Sequence, residues 1–226
     1  MKNTLVEIHA SLDVADLDLA VDIAQMAAAQ GVSVLEVGTP LLYIYGYKSI
    51  DRIREAVPDS IKIVADFKAK DCCETIFMQA RRHGADLACV MGYNNDAGIA
   101  AAAKAKKTCG IRLIADMFSV PVPEMAQAAK RAAKMGADVI LIHMGGDENE
   151  LGLSAERKEY DGVLEVAQAV DIPVAAVCDI PGNAVEAVRR GATWLVFGLC
   201  LRNAKAENEK ACQEYVEAVR RAVSKE

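Results

Sequence analysis

The segment Lys134-Met135-Gly136-Ala137-Asp138-Val139-Ile140-Leu141-Ile142 reads as the end of a helix, a glycine and a short apolar strand. A glycine at such a place supplies the left-handed residue that ends a helix, and a lysine in the last turn faces the negative end of the helix dipole. The same pattern surrounds Gly31, Gly84 and Gly191, so that consecutive glycines of the series are 53, 52 and 55 residues apart. The chain is therefore built from a repeated unit.

Further apolar runs lie about midway between those glycines. They begin near Ile61, Ile111 and Pro173, and an opening run covers about residues 6–12. Counted together, eight predicted strands alternate with helical patterns at a spacing of about 26 residues. Short apolar strands that alternate with amphipathic helices indicate parallel strands joined by helical crossovers.

Eight such units predict an α/β fold, a closed (β/α)8 TIM barrel, formed by a single domain over residues 1–226. An open doubly wound sheet is the alternative, but no G-x-G-x-x-G motif follows the first strand. The last helix is expected from about Ala204 to Val223. One face of that helix is expected to pack on the barrel through Ala211, Tyr215, Ala218, Val219 and Val223.

Composition narrows the class of protein. The chain has 26 Lys and Arg against 32 Asp and Glu, and no basic run with interleaved aromatic residues, so we expect no nucleic-acid partner. No run of 18 apolar residues and no signal-peptide pattern occurs, which predicts a cytoplasmic protein without a membrane partner. The seven cysteines lack paired C-x-x-C spacing and are expected to be reduced thiols.

Ionisable residues end most of the predicted strands, at the face where barrel enzymes carry their chemistry. Grouped carboxylates repel one another and resist desolvation unless a cation or protons compensate them. Such a set therefore predicts an active site. In chain order its members are Asp13, Glu36, Asp66, Lys68, Asp116, His143 and Asp179.

Glu36 and Asp66 end neighbouring strands and could share one hard cation through oxygen ligands, which suggests a magnesium-like ion. Lys68 lies two residues beyond Asp66, on the same side of an extended segment. A lysine held among carboxylates stays protonated, so Lys68 could stabilise a developing oxyanion or donate a proton.

Each of these residues also has a purely structural interpretation. Asp13, Asp116 and Asp179, the aspartates at the ends of strands one, five and seven, could be loop or helix-capping residues. Asp66 and Lys68 could form a private ion pair. His143 could be a core histidine whose ring is satisfied by a backbone carbonyl group.

The segment around Asp66 fits the pattern D-x-K-x-x-D, in which the last residue is Asp71, and it resembles the signature of the orotidine 5′-monophosphate decarboxylase superfamily. Other segments are similar to landmarks of the branch that contains 3-hexulose-6-phosphate synthase and 3-keto-L-gulonate-6-phosphate decarboxylase. These segments are Ala10-Ser11-Leu12-Asp13, Glu36-Val37-Gly38-Thr39-Pro40, Ile114-Ala115-Asp116-Met117 and His143-x-Gly145-x-Asp147. The resemblance runs in order through about residue 150.

This resemblance implies a magnesium-dependent barrel homodimer with shared active sites, which stabilises a cis-enediolate of a ketose phosphate. It also implies a role for each matching residue. Glu36 and Asp66 would bind Mg²⁺, Asp13, Thr39 and Lys68 would contact the substrate, Asp71 would reach into the partner subunit's site, and Asp116 and His143 would provide acid and base groups.

The resemblance fails where family members hold the phosphate. After strand seven they carry a Gly-Gly pair, whereas this chain has Cys178-Asp179, and after strand eight Gly198-Leu199 replaces Gly-Gly or Gly-Arg. Backbone N–H groups favour a phosphate dianion, and a nearby carboxylate opposes it. We therefore expect Asp179, Gly198 and Arg202 to contact the substrate, while the choice between a ketose and a ketose phosphate stays open.

The resemblance implies a carbon–carbon lyase, with formaldehyde addition to ribulose 5-phosphate, or its reversal, as the best specific expectation. The Asp116-Met117 pair and Gly145 favour this reaction over decarboxylation of a β-keto sugar acid, which is the main alternative. Two further alternatives are a Schiff-base aldolase that uses Lys68 as nucleophile and a non-catalytic sugar-binding barrel.

Overall fold

The computed structural model describes residues 6–93, 95–152, 157–203 and 205–224. Eight parallel strands form a closed barrel in chain order, and the first strand pairs with the eighth. The predicted (β/α)8 barrel is confirmed, and the open doubly wound sheet is wrong. The ends of the predicted domain, residues 1 and 226, lie outside the described residues.

The strands are β1 (Glu7–Leu12), β2 (Val34–Val37), β3 (Lys62–Ala69), β4 (Leu87–Met91), β5 (Arg112–Asp116), β6 (Val139–Ile142), β7 (Val174–Val177) and β8 (Trp194–Phe197). The helices are α1 (Leu17–Ala29), α2 (Thr39–Tyr45), α3 (Lys48–Ala56), α4 (Cys73–Arg82), α5 (Asp96–Cys109), α6 (Val122–Met135), α7 (Gly146–Glu150), α8 (Val163–Ala169), α9 (Pro181–Arg189) and α10 (Lys205–Val223). A short 3-10 helix, Leu199–Leu201, follows β8. Within the described ranges, none of these helices is both long and apolar enough to cross a membrane.

The glycines of the repeat end helices as the pattern predicts. Gly31, Gly84, Gly136 and Gly191 have φ values of 89°, 101°, 111° and 104°. A side chain at such a φ would clash with its own backbone, so glycine ends the helix at little cost. The chain changes direction at each glycine, and the next strand of the barrel follows.

Strand alternation separates two apolar layers. Side chains such as Val34 and Val64 fill the barrel interior, while the larger layer lies between the strands and the helices. Two residues further along the same strands, the inward positions hold Glu36 and Asp66, and Asp116 follows Ile114 in the same way on β5. On these strands the apolar interior layer therefore gives way to acidic side chains at the carboxyl end.

The predicted packing face of the last helix is partly wrong. Its expected start, Ala204, lies outside the described residues, and the structure describes the helix from Lys205. Tyr215 and Val219 are buried as expected, whereas the three other predicted residues are half-buried. The buried face is instead made by Asn208, Cys212, Tyr215, Val216 and Val219.

Small residues lie on several sides of α10, so the sequence alone did not define which face packs on the barrel. The contacts of Tyr215 define this face. The Tyr215 ring stacks on Phe197 with 4.1 Å between ring centroids, and its hydroxyl donates a hydrogen bond of 2.8 Å to the carbonyl oxygen of Cys178. The last helix therefore supports the ends of both β7 and β8. All seven cysteines lie in the described residues and are free thiols.

Candidate active site

A cavity of about 540 Å³ opens at the carboxyl ends of the strands. Its wall gathers most of the residues that the sequence singled out, although they come from strands far apart in the chain. The predicted residues that line it are Asp13, Glu36, Thr39, Asp66, Lys68, His143, Asp179, Gly198 and Arg202. The structure therefore brings most of the residues that the sequence singled out together at one cavity.

Asp66, Lys68 and Thr39 form one cluster on its wall. The Lys68 ammonium group contacts Asp66 Oδ2 and donates to Thr39 Oγ1 at 3.0 Å. Thr39 Oγ1 in turn donates to Asp66 Oδ2 at 2.7 Å. The ion pair between Asp66 and Lys68 thus exists, but it is not private, because both residues line the cavity and share a third partner.

Lys68 reaches this position in a way that simple strand alternation does not predict. Its φ is +45°, in the left-handed region, and the register of β3 on β4 shifts between Ala65 and Ala69. Lys68 does lie beside Asp66 as predicted. The predicted cause, a regular extended strand that places both residues on one side, is wrong. A local irregularity of β3 turns the lysine back to its carboxylate.

The charge of Lys68 is fixed by its neighbours. Burial alone would lower the pKa of the ammonium group, but the carboxylates of Asp66, Asp116 and Glu36 outweigh burial and raise it. Lys68 therefore stays protonated at neutral pH. A Schiff-base nucleophile must be neutral, so this environment disfavours the aldolase alternative that uses Lys68 as nucleophile.

Glu36 is buried beside Asp66. Burial raises its pKa well above the usual range, and repulsion by Asp66 and Asp13 raises it further. Beneath it, Trp194 Nε1 donates to His9 Nδ1 at 3.1 Å, and His9 Nε2 lies 3.5 Å from Glu36 Oε2. Burial lowers the pKa of His9 to about 3, so this ring is neutral and supplies no compensating charge. Glu36 therefore lacks a cation of its own.

The pair of Glu36 and Asp66 fits a hard divalent cation. Asp66 Oδ1 is buried and has no hydrogen-bond partner among the described residues. Such an oxygen is unfavourable unless a ligand completes it. No cluster of three or more potential metal-ligating side chains occurs in the part of the chain that the structure describes. Two carboxylates suit Mg²⁺, which usually keeps several waters and takes further oxygens from the substrate.

His143 also lines the cavity, and Asp116 lies behind it, buried and outside the cavity lining. Asp116 is fully buried, and its Oδ2 lies 3.0 Å from His143 Nδ1, while its Oδ1 accepts the backbone N–H of Phe118 at 2.9 Å. Burial alone would lower the pKa of His143, but the Asp116 carboxylate raises it. His143 is thus paired with a carboxylate rather than with a backbone carbonyl group, and this pairing favours its protonated form.

Asp13 lies where the ends of β1, β2 and β8 meet. A Cβ atom added to Gly38 would lie only 2.3 Å from Asp13 Oδ1, so only glycine lets the two segments come this close. Ser11 Oγ lies 2.9 Å from Asp13 Oδ2 and 2.7 Å from Glu36 Oε1. Asp13 lies in the loop after β1, but the alternative that it caps a helix is wrong, because Asp16 caps α1 with its side chain.

Asp179 has an unexpected partner. Its Oδ1 accepts the backbone N–H groups of Gly198 and Leu199 at 2.7 and 2.8 Å. The backbone N–H of Asp179 itself donates to Glu159 Oε1 at 3.1 Å. Burial raises the pKa of both carboxyl groups. Asp179 is therefore anchored by the amides that the sequence suggested for an anion.

Asp71 is not among the residues that line the cavity of its own chain. It is exposed, and its Oδ1 accepts the backbone N–H of Cys72 at 2.8 Å. Its role in the site of a partner subunit stays a prediction. Sequence reasoning missed Ser11 and Glu159 as site residues, because a serine inside a strand and a glutamate in a long loop carry no distinguishing pattern.

A model of the family described as "Orotidine 5'-phosphate decarboxylase / HUMPS family" matches residues 7–215. The chain belongs to this family. The match extends from β1 into α10, so it covers the whole barrel and every residue of the cavity. The resemblance that began at Asp66, Lys68 and Asp71 is confirmed.

Curated 3-hexulose-6-phosphate synthases are similar to this chain in sequence. A 3-hexulose-6-phosphate synthase of Staphylococcus epidermidis is 29% identical over 216 residues, which are 93% of this chain and 99% of the relative. A 3-hexulose-6-phosphate synthase of Bacillus subtilis is 30% identical over 141 residues, 62% of this chain and 65% of the relative.

Solved structures of the family agree with the barrel. A crystal structure of 3-hexulose-6-phosphate synthase has a TM-score of 0.84 at 25% identity and covers 94% of this chain and 99% of its own. The 3-keto-L-gulonate-6-phosphate decarboxylase of Vibrio cholerae has a TM-score of 0.79 at 22% identity and covers 98% and 99%. The latter likeness concerns the fold. The related enzymes are lyases, and the chain is an enzyme of that class.

Proposed function

We propose that this lyase makes and breaks a carbon–carbon bond next to the carbonyl group of a ketose, through an enediolate, and that it would use a magnesium ion held by Glu36 and Asp66. The proposed reaction is aldol addition of formaldehyde to a ribulose-type ketose or its 5-phosphate, and its reversal. The observation that carries the proposal is the placement of protonated Lys68 beside the two carboxylates, in a cavity that His143, paired with Asp116, also lines.

Glu36 and Asp66 are the residues that would hold the ion, and the unpartnered Asp66 Oδ1 supports this assignment. When bound, magnesium would supply positive charge to the oxygens of the ketose. The same two carboxylates are unfavourably close without a cation, because each raises the free energy of the other's charged form. A divalent ion compensates both.

In the cleavage direction, the hydroxyl group of the departing carbon would give its proton to the neutral His143 imidazole as the carbon–carbon bond breaks. Formaldehyde leaves, and the electron pair of the bond remains on the ketose as the enediolate. Lys68 lies at the cluster that would contact its oxygens, and its charge stabilises the negative charge that develops there.

His143 would then return this proton to the enediolate carbon, because Asp116 raises the pKa of the imidazole and contacts it through Nδ1. In the synthesis direction the deprotonated imidazole removes that proton again. The Phe118 ring packs against His143, with 5.4 Å between ring centroids, and restricts the ring further.

A kinetic assay tests the proposal. Purified protein is incubated with formaldehyde and ribulose 5-phosphate or ribulose, with magnesium or with a chelator, and formaldehyde consumption is measured. We expect consumption that requires the metal. Carbon dioxide release from 3-keto-L-gulonate 6-phosphate instead would support the decarboxylase alternative. Turnover that survives chelation and is blocked by borohydride would support the Schiff-base alternative.

A further inference from the structure

The carboxyl ends of β7 and β8 are linked by a side chain of the protein itself. Asp179 follows β7, and its Oδ1 accepts both the Gly198 and the Leu199 backbone N–H groups after β8, at 2.7 and 2.8 Å. Two successive backbone amides directed to one oxygen are what an external anion uses at such a loop. Here the Asp179 carboxylate already occupies them.

A second carboxylate occupies the polar groups at the start of α9. Glu159 Oε1 accepts the backbone N–H of Asp179 at 3.1 Å, and Glu159 Oε2 accepts Asn183 Nδ2 at 2.6 Å. Glu159 comes from the loop before α8, yet it lines the cavity. Both sets of donors at the β7 and β8 ends are therefore satisfied by carboxylates of the chain.

The cavity lining carries further carboxylates besides the two just described, among them those of Asp13, Asp147 and Glu148. Arg202, which follows β8, also lines the cavity, and its Nη2 lies 3.8 Å from Asp13 Oδ2. One arginine already facing an aspartate is a weak counterion for a dianion.

Asp179 nevertheless offers a good contact for a hydroxyl group. Its Oδ1 is saturated by two amides, whereas its Oδ2 accepts no hydrogen bond from the described residues. Asp179 as a whole lines the cavity. A carboxylate oxygen accepts from a sugar hydroxyl group but repels a phosphate oxygen.

We propose that the substrate of this enzyme is an unphosphorylated ketose, whose far end is a hydroxyl group recognised by Asp179, with Glu159 as the residue that positions the Asp179 loop. This inference deepens the proposed function and rests on it for the reacting end of the substrate. It makes Asp179 a specificity-determining residue, which selects the free sugar and rejects its phosphate ester.

The test compares ribulose with ribulose 5-phosphate in the formaldehyde assay, for the parent and for Asp179→Asn and Asp179→Gly. We expect a higher kcat/KM of the parent for ribulose. Asp179→Asn removes the charge but keeps an acceptor for Gly198, so kcat/KM for the phosphate ester should rise about tenfold. Asp179→Gly also frees two amides and should raise it further, while binding of ribulose weakens.

Asp171→Asn is the matched control, because Asp171 is exposed and lies before β7, at the opposite end of the barrel. It removes the same charge and should change neither substrate's kcat/KM. A parent that prefers ribulose 5-phosphate, with no gain in Asp179→Asn, would overturn the inference while leaving the proposed reaction intact. Asp179→Asn alone is sufficient if Asp179→Gly does not fold.

Calorimetric titration with inorganic phosphate gives a readout that needs no turnover. Tighter phosphate binding by Asp179→Gly than by the parent, without turnover of either sugar by any variant, would support the charge argument and refute the proposed function. Equal or tighter phosphate binding by the parent would refute the charge argument, whatever the turnover.

Discussion

His143 Nδ1 lies 3.0 Å from Asp116 Oδ2, although 27 residues separate them in the chain. The barrel makes this contact, because β5 and β6 are neighbours and each delivers its polar residue to the same end. Asp116 is fully buried, so its charge acts on the imidazole with little screening by water. The ionisation of His143 is therefore coupled to that of Asp116.

Asp116→Asn should lower the pKa of His143. Burial, which lowers the pKa, then acts without the carboxylate that raises it above the ordinary value. Titration of the His143 ring signals by NMR should show the midpoint moving to lower pH. The ring signals of the exposed-residue control Asp59→Asn should titrate as in the parent. An unchanged midpoint in Asp116→Asn would contradict the assigned cause.

The same pair makes a prediction about stability. A raised histidine pKa stabilises the folded state fully below the unfolded pKa, and this contribution is lost as the pH rises through the folded pKa. The free energy of unfolding of the parent should therefore include a component that falls as the pH rises above about 6.5. Denaturant unfolding of Asp116→Asn across the same range should lack that component.

Lys68→Ala should lower kcat by about 10²–10³ with a smaller effect on KM, because the positive charge is needed most when the enediolate oxygen becomes negative. Lys70→Ala is the matched control, since Lys70 is exposed and lies one residue beyond β3. Steady-state kinetics of both variants give the two constants. A raised KM with normal kcat in Lys68→Ala would mean that Lys68 only binds the substrate.

Glu36→Gln and Asp66→Asn should each lose magnesium binding and metal-dependent turnover, because an amide oxygen is a poorer ligand than a carboxylate for a hard cation. At a magnesium concentration 100 times its Kd, the parent gains about 2.7 kcal/mol of stability, and both variants should lose this gain. Calorimetry and thermal melts measure the two effects, with Glu55→Gln and Asp59→Asn as exposed controls. Equal binding by all five proteins would refute the metal assignment.

A dimer with shared sites predicts complementation between two inactive variants. If Asp71 serves the partner's site, a mixture of Lys68→Ala and Asp71→Ala subunits forms mixed dimers in which one of the two sites is intact. After subunit exchange, about a quarter of the parent activity should return. Sedimentation of the same samples checks that dimers form. Activity that stays at the level of the separate variants would place Asp71 outside the partner's site.

The order of strands and helices was predictable because each unit repeats the same pattern of a helix end, a glycine and an apolar strand, as at Gly136 and Gly191. Glu36 and Asp66 were predictable because burying a carboxylate at the end of an apolar strand is unfavourable unless a ligand or a cation compensates its charge. The left-handed backbone of Lys68 and the packing face of α10 were not, because both depend on contacts between distant segments. Glu159 could not be predicted as a site residue for the same reason, since only the closed barrel brings its loop to β7.

The link from Asp179 to Gly198 and Leu199 has a consequence for the order of events during catalysis. Where a bound ligand must join two strand ends, those ends become fixed only on binding, and part of the binding free energy is lost to conformational entropy. In this chain the Asp179 side chain joins the two strand ends before any ligand binds. The two strand ends at the distal wall of the cavity are thus already joined in the free protein, so no binding free energy is needed to join them.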